Sequence, residues 1–116
     1  MSRMDQVTQA PKPGKGQRIA VTTTGTRTAL ESTIAGMGWV RVFAKTADVQ
    51  LTFGLVSDTI PVLDSTTQSE VGYSVAAGTY HDFWLSGKET HVLWDASAAG
   101  FLELHKLGEG RVKTDL

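Results

Sequence analysis

Three histidines, His81, His91 and His105, are the only imidazoles in the chain, and Asp82, Glu89, Asp95 and Glu103 accompany them in the same stretch. This is where side chains able to move protons or hold a metal concentrate. A zinc-type site draws on ligands that one turn or loop brings together, commonly two histidines three to five residues apart. No two of these histidines have that spacing. Neighbouring strands lie about 5 Å apart, so only strand pairing would bring them to the acids, and the residues read as surface or loop side chains. A serine nucleophile needs a base and an exposed turn of the Gly-x-Ser-x-Gly kind. Ser86 and Gly87 lack that frame and read as a turn. Glycoside hydrolysis needs two opposed carboxylates, and nothing in the pattern selects two of the four acids. Gly14, Lys15 and Gly16 resemble part of a phosphate loop without its full spacing or its strand-to-helix context. The expectation is a non-enzymatic chain with no catalytic residue, no metal and no cofactor.

Composition narrows the classes further. A length of 116 residues leaves room for one core. With 41% hydrophobic and 20% charged residues, the chain has enough apolar material to fold and enough polar surface to stay in solution. Eleven basic against twelve acidic residues give a net charge of −1, so long-range attraction to nucleic acid or an anionic membrane is not expected. The absence of cysteine removes disulfides and thiolate chemistry and fits a protein made in a reducing cytoplasm. Residues 1–16 lack the apolar run of a secretory signal, and no stretch approaches the roughly 18 apolar residues that span a membrane.

The elements that must position any site have a period of two, which favours strands over helices. Ile19, Val21 and Thr23 alternate with Ala20 and Thr22; Val40 and Val42 alternate with Trp39, Arg41 and Phe43; Val49, Leu51 and Phe53 form a third set. Residues 80–85 and 90–95 flank Ser86, Gly87, Lys88 and Glu89, a spacing that predicts an antiparallel hairpin. Leu102 and Leu104 mark a last strand, and shorter strands are expected at 28–31, 60–63 and 72–75, with Pro61 holding its segment to a sheet edge. Residues 64–70, rich in Ser and Thr, read as a loop. A helical pattern over 29–37 is closed early by Gly36 and Gly38, leaving at most one turn. Together these predict an all-β fold: a two-sheet antiparallel β-sandwich or jelly roll of about seven to nine short strands. The sandwich is expected over residues 18–107. Residues 1–17, with Pro11, Pro13 and few large apolar groups, are expected to form a flexible N-terminal arm, and 108–116 a C-terminal tail.

The aromatic residues have two readings. Trp39, Trp84 and Trp94 with Phe43, Phe53, Phe83 and Phe101 are first the large side chains of a small core, each burying roughly 150–250 Å². Along 80–85, however, Phe83 and Leu85 share one face while Tyr80, Asp82 and Trp84 share the other. Both faces cannot meet one core. One is expected to be covered by another subunit, or to offer an aromatic platform to a sugar.

Residues 17–24, 39–44, 49–54, 77–85, 90–94 and 98–104 resemble segments of small β-sandwich structural proteins of tailed bacteriophages. The resemblance covers roughly residues 17–107. It implies a virion protein, made in the host cytoplasm and resident on the capsid surface as a cement or decoration protein that braces the major capsid protein. It implies self-association too, with a trimer as the first expectation, and carries over no catalytic residue. The partner-binding candidates are Arg3, Lys12, Lys15 and Arg18 on the arm and Trp39, Tyr80 and Trp84 on the aromatic face. The alternative is a carbohydrate- or receptor-binding module of a phage tail or a cellular enzyme, built on the same aromatic face.

Overall fold

The computed structural model describes residues 5–63 and 72–113, with side chains placed for 14–63 and 72–108. Eight strands follow one another: β1 (Asp5–Val21), β2 (Thr26–Ala29), β3 (Gly38–Lys45), β4 (Val49–Gly54), β5 (Tyr73–Val75), β6 (Tyr80–Leu85), β7 (His91–Ala96) and β8 (Gly100–Lys113). Among the described residues none is α-helical. The strands form two four-stranded antiparallel sheets, β1-β8-β3-β6 and β2-β7-β4-β5.

The pairing is nested. Val49 lies opposite Val75, Gly38 opposite Leu85, Thr26 opposite Trp94 and Asp5 opposite Lys113. The chain is thus one long doubled ribbon, bent at the β4–β5 connection. Rolling that ribbon adds two further pairings, β3 with β8 and β4 with β7. This is the strand order of an eight-stranded jelly roll.

Alternation decides which side chains enter the space between the sheets. Ile19 and Val21 from β1, Val40, Val42 and Ala44 from β3, and Leu102 and Leu104 from β8 face Val49 and Leu51 of β4 and Val92, Trp94 and Ala96 of β7, all buried. Each fully buried aliphatic side chain contributes about 1.5–3 kcal/mol. The Trp94 indole N–H donates to Thr28 Oγ1 at 3.1 Å, so its polar atom is satisfied inside. The 29–37 stretch makes a single turn, in which the Ile34 and Ala35 amides donate to the Glu31 carbonyl and the Ile34 side chain is fully buried.

Three sequence expectations change. First, β6 and β7 form no hairpin: β6 pairs with β3 in one sheet, and β7 lies between β2 and β4 in the other. Residues 86–89 instead make a compact corner, in which the Glu89 carboxylate accepts from the Ser86 amide and hydroxyl and from the Gly87 amide. Burial alone would raise the Glu89 pKa, but these bonds and its own amide outweigh it and hold the carboxyl below its usual value. Loop length does not distinguish a hairpin from a corner between sheets. Second, residues 60–63 form no strand. They cross the outer face of the β2-β7-β4-β5 sheet, where the Leu63 amide donates to Asp95 Oδ2 at 3.0 Å and Pro61 is buried. The loop expected over 64–70 lies outside the described residues.

Third, β1 begins at Asp5, well before Arg18. Residues 5–11 pair with 107–113 as a two-stranded ribbon continuous with the sandwich. Two polar segments can satisfy their backbone groups against each other without burying apolar surface, and a search for hydrophobic periodicity does not register that. Between Pro11 and Gly16 the register slips, with Gly14 at φ 73° in the bulge. The ribbon makes the molecule long: its extents are 54 × 27 × 26 Å and its radius of gyration 15.9 Å, against about 13 Å for a compact domain of this size.

The β3–β4 turn sits tightly against the start of β8. A Cβ on Gly100 would lie 2.6 Å from the Lys45 carbonyl oxygen and 2.7 Å from Thr46 Oγ1, and Thr46 itself has a left-handed φ of 70°. Gly100→Ala is therefore expected to destabilise the fold by about 2–3 kcal/mol, read as a lower urea midpoint at unchanged slope. A midpoint equal to that of the parent protein would show that the turn gives way freely.

Candidate interaction surface

The outer face of the β1-β8-β3-β6 sheet collects the side chains that alternation turns away from the core. β6 contributes Tyr80, Asp82 and Trp84; β3 contributes Trp39, Arg41, Phe43 and Lys45; β8 contributes Phe101, Glu103 and His105; β1 contributes Gly16, Arg18 and Ala20. Register sets the neighbours: Trp39 lies opposite Trp84, Arg41 opposite both Asp82 and His105, Phe43 opposite Tyr80 and Glu103, and Arg18 opposite Glu103.

These side chains interlock. The Trp39 and Trp84 rings meet edge to face, with centroids 5.5 Å apart. Arg41 donates from Nε to Asp82 Oδ1 at 2.8 Å and from Nη2 to Oδ2 at 3.1 Å, a two-pronged pair, while its guanidinium lies 4.2 Å from the Tyr80 ring centre. The bond to Asp82 pushes the Arg41 pKa still higher. Arg18 donates to Glu103 Oε2 at 2.6 Å and stacks 4.8 Å from the centre of Phe101. The rings nevertheless stay open to solvent: Trp84 and Tyr80 are each 53% exposed, Trp39 39% and Phe101 38%.

The other sheet is covered by its own chain. Residues 55–63 lie over its outer face, tied by Arg27 to the Val56 carbonyl and by Leu63 to Asp95. Beneath it Leu93 is fully buried, and Gln50 is satisfied by the Gly72 carbonyl and the Ser74 hydroxyl. At the open edge between β5 and β6, Tyr73 packs on His81 and Phe83, and Phe83 on Phe53, with centroids 5.0–5.6 Å apart.

The histidines occupy three separate places. His81 belongs to that edge cluster, the His91 ring nitrogen contacts the Thr90 hydroxyl at 2.8 Å, and His105 lies beside Gly16 on the aromatic face. No three His, Asp or Glu side chains gather among the described residues. The four acids are engaged in the fold: Asp82 and Glu103 with arginines, Glu89 in its corner, and Asp95 with the Leu63 and Ala96 amides. A cleft of about 500 Å³ opens at one end among Asp48, Leu63, Ser74, Tyr80 and His81. Its carboxylate, Asp48, accepts the Ala77 amide at 2.8 Å.

Of the residues singled out in the sequence, Trp39, Tyr80 and Trp84 come together on this face, and Arg18 joins them from its far edge. Lys15 is exposed in the β1 bulge; Lys12 lies in the same bulge, and Arg3 is outside the described residues. Phe43, Phe101, Trp39 and Trp84, first read as core side chains, lie on this outer face instead, because alternation along β3, β6 and β8 turns them away from Val40, Val42, Leu102 and Leu104; Glu103, read only as a candidate acid, and Arg41 belong to the same surface. The outward set of β3 was visible as alternation, but its pairing with β6 spans some forty residues and leaves no local signal.

The Arg18 hydrogen bond holds the Glu103 carboxyl below its usual value; partial burial opposes this, and Lys45 and His105 add to it. Because the folded pKa is depressed, the pair's contribution is fully present above the unfolded value of about 4.3 and disappears as pH falls through the folded value. The pair is largely solvated, so that contribution is about 0.5 kcal/mol. Arg18→Ala is expected to raise the Glu103 midpoint in a carboxyl-carbon NMR titration and to flatten the loss of stability below about pH 4.5. An unchanged midpoint would contradict the pairing.

Compared with family models, with curated proteins and with solved structures, the chain has no match in any of the three.

Proposed function

We propose that this chain is a non-enzymatic structural protein of a tailed-bacteriophage virion, a cement or decoration protein that binds the major capsid protein and stabilises the shell. It is made in the host cytoplasm and ends on the capsid surface, in contact with copies of itself and with neither nucleic acid nor membrane. The observation that carries the reading is the ribbon. Residues 5–11 and 107–113 run about 20 Å past the sandwich, β1 has β8 as its single sheet neighbour, and β3 pairs with β8 only as far as Lys106. Among the described residues both outer edges of the ribbon therefore lack a strand neighbour. Free strand edges accept strands from other proteins, and a ribbon of this reach spans a subunit boundary. Many such contacts on one shell reinforce each other through effective concentration.

The sequence resemblance supports the same reading, as does the jelly roll, an architecture used by viral capsid and lectin domains, though fold alone carries no function. The second reading, a carbohydrate- or receptor-binding module, is favoured by the exposed Trp39, Tyr80 and Trp84. It ranks behind because the two indoles stand at 67° to each other and Arg41 already covers Tyr80, so they make no flat two-ring platform.

The test uses particles lacking the protein, to which the full chain or a form without residues 1–11 and 108–116 is added. The full chain is expected to bind in fixed copy number and to raise particle survival on heating and osmotic shock. The shortened form, shown folded by circular dichroism, is expected to lose at least tenfold in binding. Equal binding by the two forms would remove the role of the ribbon. Glycan binding with no particle binding would replace this reading by the second.

A further inference from the structure

We infer that the outer face of the β1-β8-β3-β6 sheet is a self-recognition surface on which a second copy of this chain seats, face to face about a two-fold axis. Residues 55–63 cover the outer face of one sheet, and among the described residues none covers this one, where Trp39, Tyr80, Trp84 and Phe101 are between 38% and 53% exposed. At 150–250 Å² per ring these leave about 300–450 Å² of aromatic surface open. That is already the size of the largest patch on a typical monomer. Arg18, Arg41, Lys45 and Asp82 border it and bring the face towards the roughly 800 Å² per partner of a stable complex.

Charge and relief identify the occupant. Taken across the sheet, β6 carries Asp82, β3 carries Arg41 and Lys45, β8 carries Glu103 and β1 carries Arg18, so the sign alternates from strand to strand. A two-fold axis along the strands, between β3 and β8, sets β6 of one copy over β1 of the other and β3 over β8. Every acidic strand then faces a basic one. The same operation lays the high side of the face, β6, over the low side, β1, where Gly16 and Ala20 flank Arg18: level for level, Tyr80 lies over Arg18 and Asp82 over Gly16, while Glu103 falls between Arg41 and Lys45. Sheets stacked in this way pack about 10 Å apart, and a two-fold contact is by nature self-complementary. Because Arg18 and Arg41 are already held by Glu103 and Asp82, covering them strands no charge. A polyanion would have to break both pairs first. The assembly this predicts in solution is a dimer, in place of the trimer that the sequence resemblance implies.

The inference concerns the free protein and stands apart from the capsid reading. The full chain is examined by sedimentation velocity from about 1 to 100 μM, beside Ala20→Arg, which puts a long charged side chain on the low side of the face at an exposed position. The parent is expected to shift to dimer across this range and Ala20→Arg to stay monomeric, with unchanged circular dichroism. The natural chain has no cysteine, so single-cysteine variants report cleanly: His105→Cys, near the axis, is expected to give dimers linked by a short bismaleimide cross-linker, since sheets about 10 Å apart are too distant for a direct disulfide, and Val62→Cys, on the covered face, is not. A parent that remains monomeric at 100 μM, an Ala20→Arg variant that dimerises like the parent, or linkage through Val62→Cys alone would each overturn the inference. A monomer that still binds particles would leave the capsid reading intact, whereas a dimer that does not bind them would remove that reading and keep this one.

Discussion

Antiparallel pairing of each strand with its mirror image in the chain, β4 with β5, β3 with β6, β2 with β7 and β1 with β8, is the constraint on which everything else rests. It starts at the Leu51–Tyr73 rung beside the bend and ends at Asp5–Lys113, so residues 5 and 113 meet at one end of the molecule. The cross-pairings Val42–Leu104 and Leu51–Trp94 roll the ribbon and bring the buried side chains of the two sheets together. Nearly all of this joins residues distant in sequence, which makes the fold slow to form. Its edge strands are β1 and β6 in one sheet and β2 and β5 in the other, and the ribbon carries the β1 edge past the core.

The two outer faces follow from the same topology with opposite results. The bend of the ribbon falls between β4 and β5, and residues 55–63 fold back over their own sheet, where Leu93, Gln50 and Pro61 are buried. Among the described residues the β1-β8-β3-β6 sheet has no comparable segment. Its outward side chains therefore settle among themselves, rings against rings and guanidinium groups between carboxylates and rings. Such a face keeps large apolar rings in water with Arg18 and Arg41 each paired to a carboxylate.

Much of this was legible in the sequence. The alternation of Val40, Val42 and Ala44 and of Leu102 and Leu104 marked core strands, and the division of Phe83 and Leu85 from Tyr80 and Trp84 marked an inner and an outer face. Both readings rest on local periodicity, which strands impose residue by residue. What local periodicity cannot carry is pairing. The 86–89 corner has the length and composition of a hairpin, and the β3–β6 pairing that joins Trp39 to Trp84 and Arg41 to Asp82 has no short-range mark. The ribbon was missed for a different reason: Pro11, Pro13, Gly108 and Gly110 argue against strand, yet at a two-stranded edge the missing proline donors cost little.

The most direct test of the central claim, that the ribbon is the means of attachment, is amide hydrogen exchange over the whole chain, free and bound to particles. The account predicts that exchange across residues 5–11 and 107–113 slows on binding while β4 and β7, buried within the sandwich, keep their rates. Ribbon amides that exchange equally fast in the free and the bound protein would contradict it.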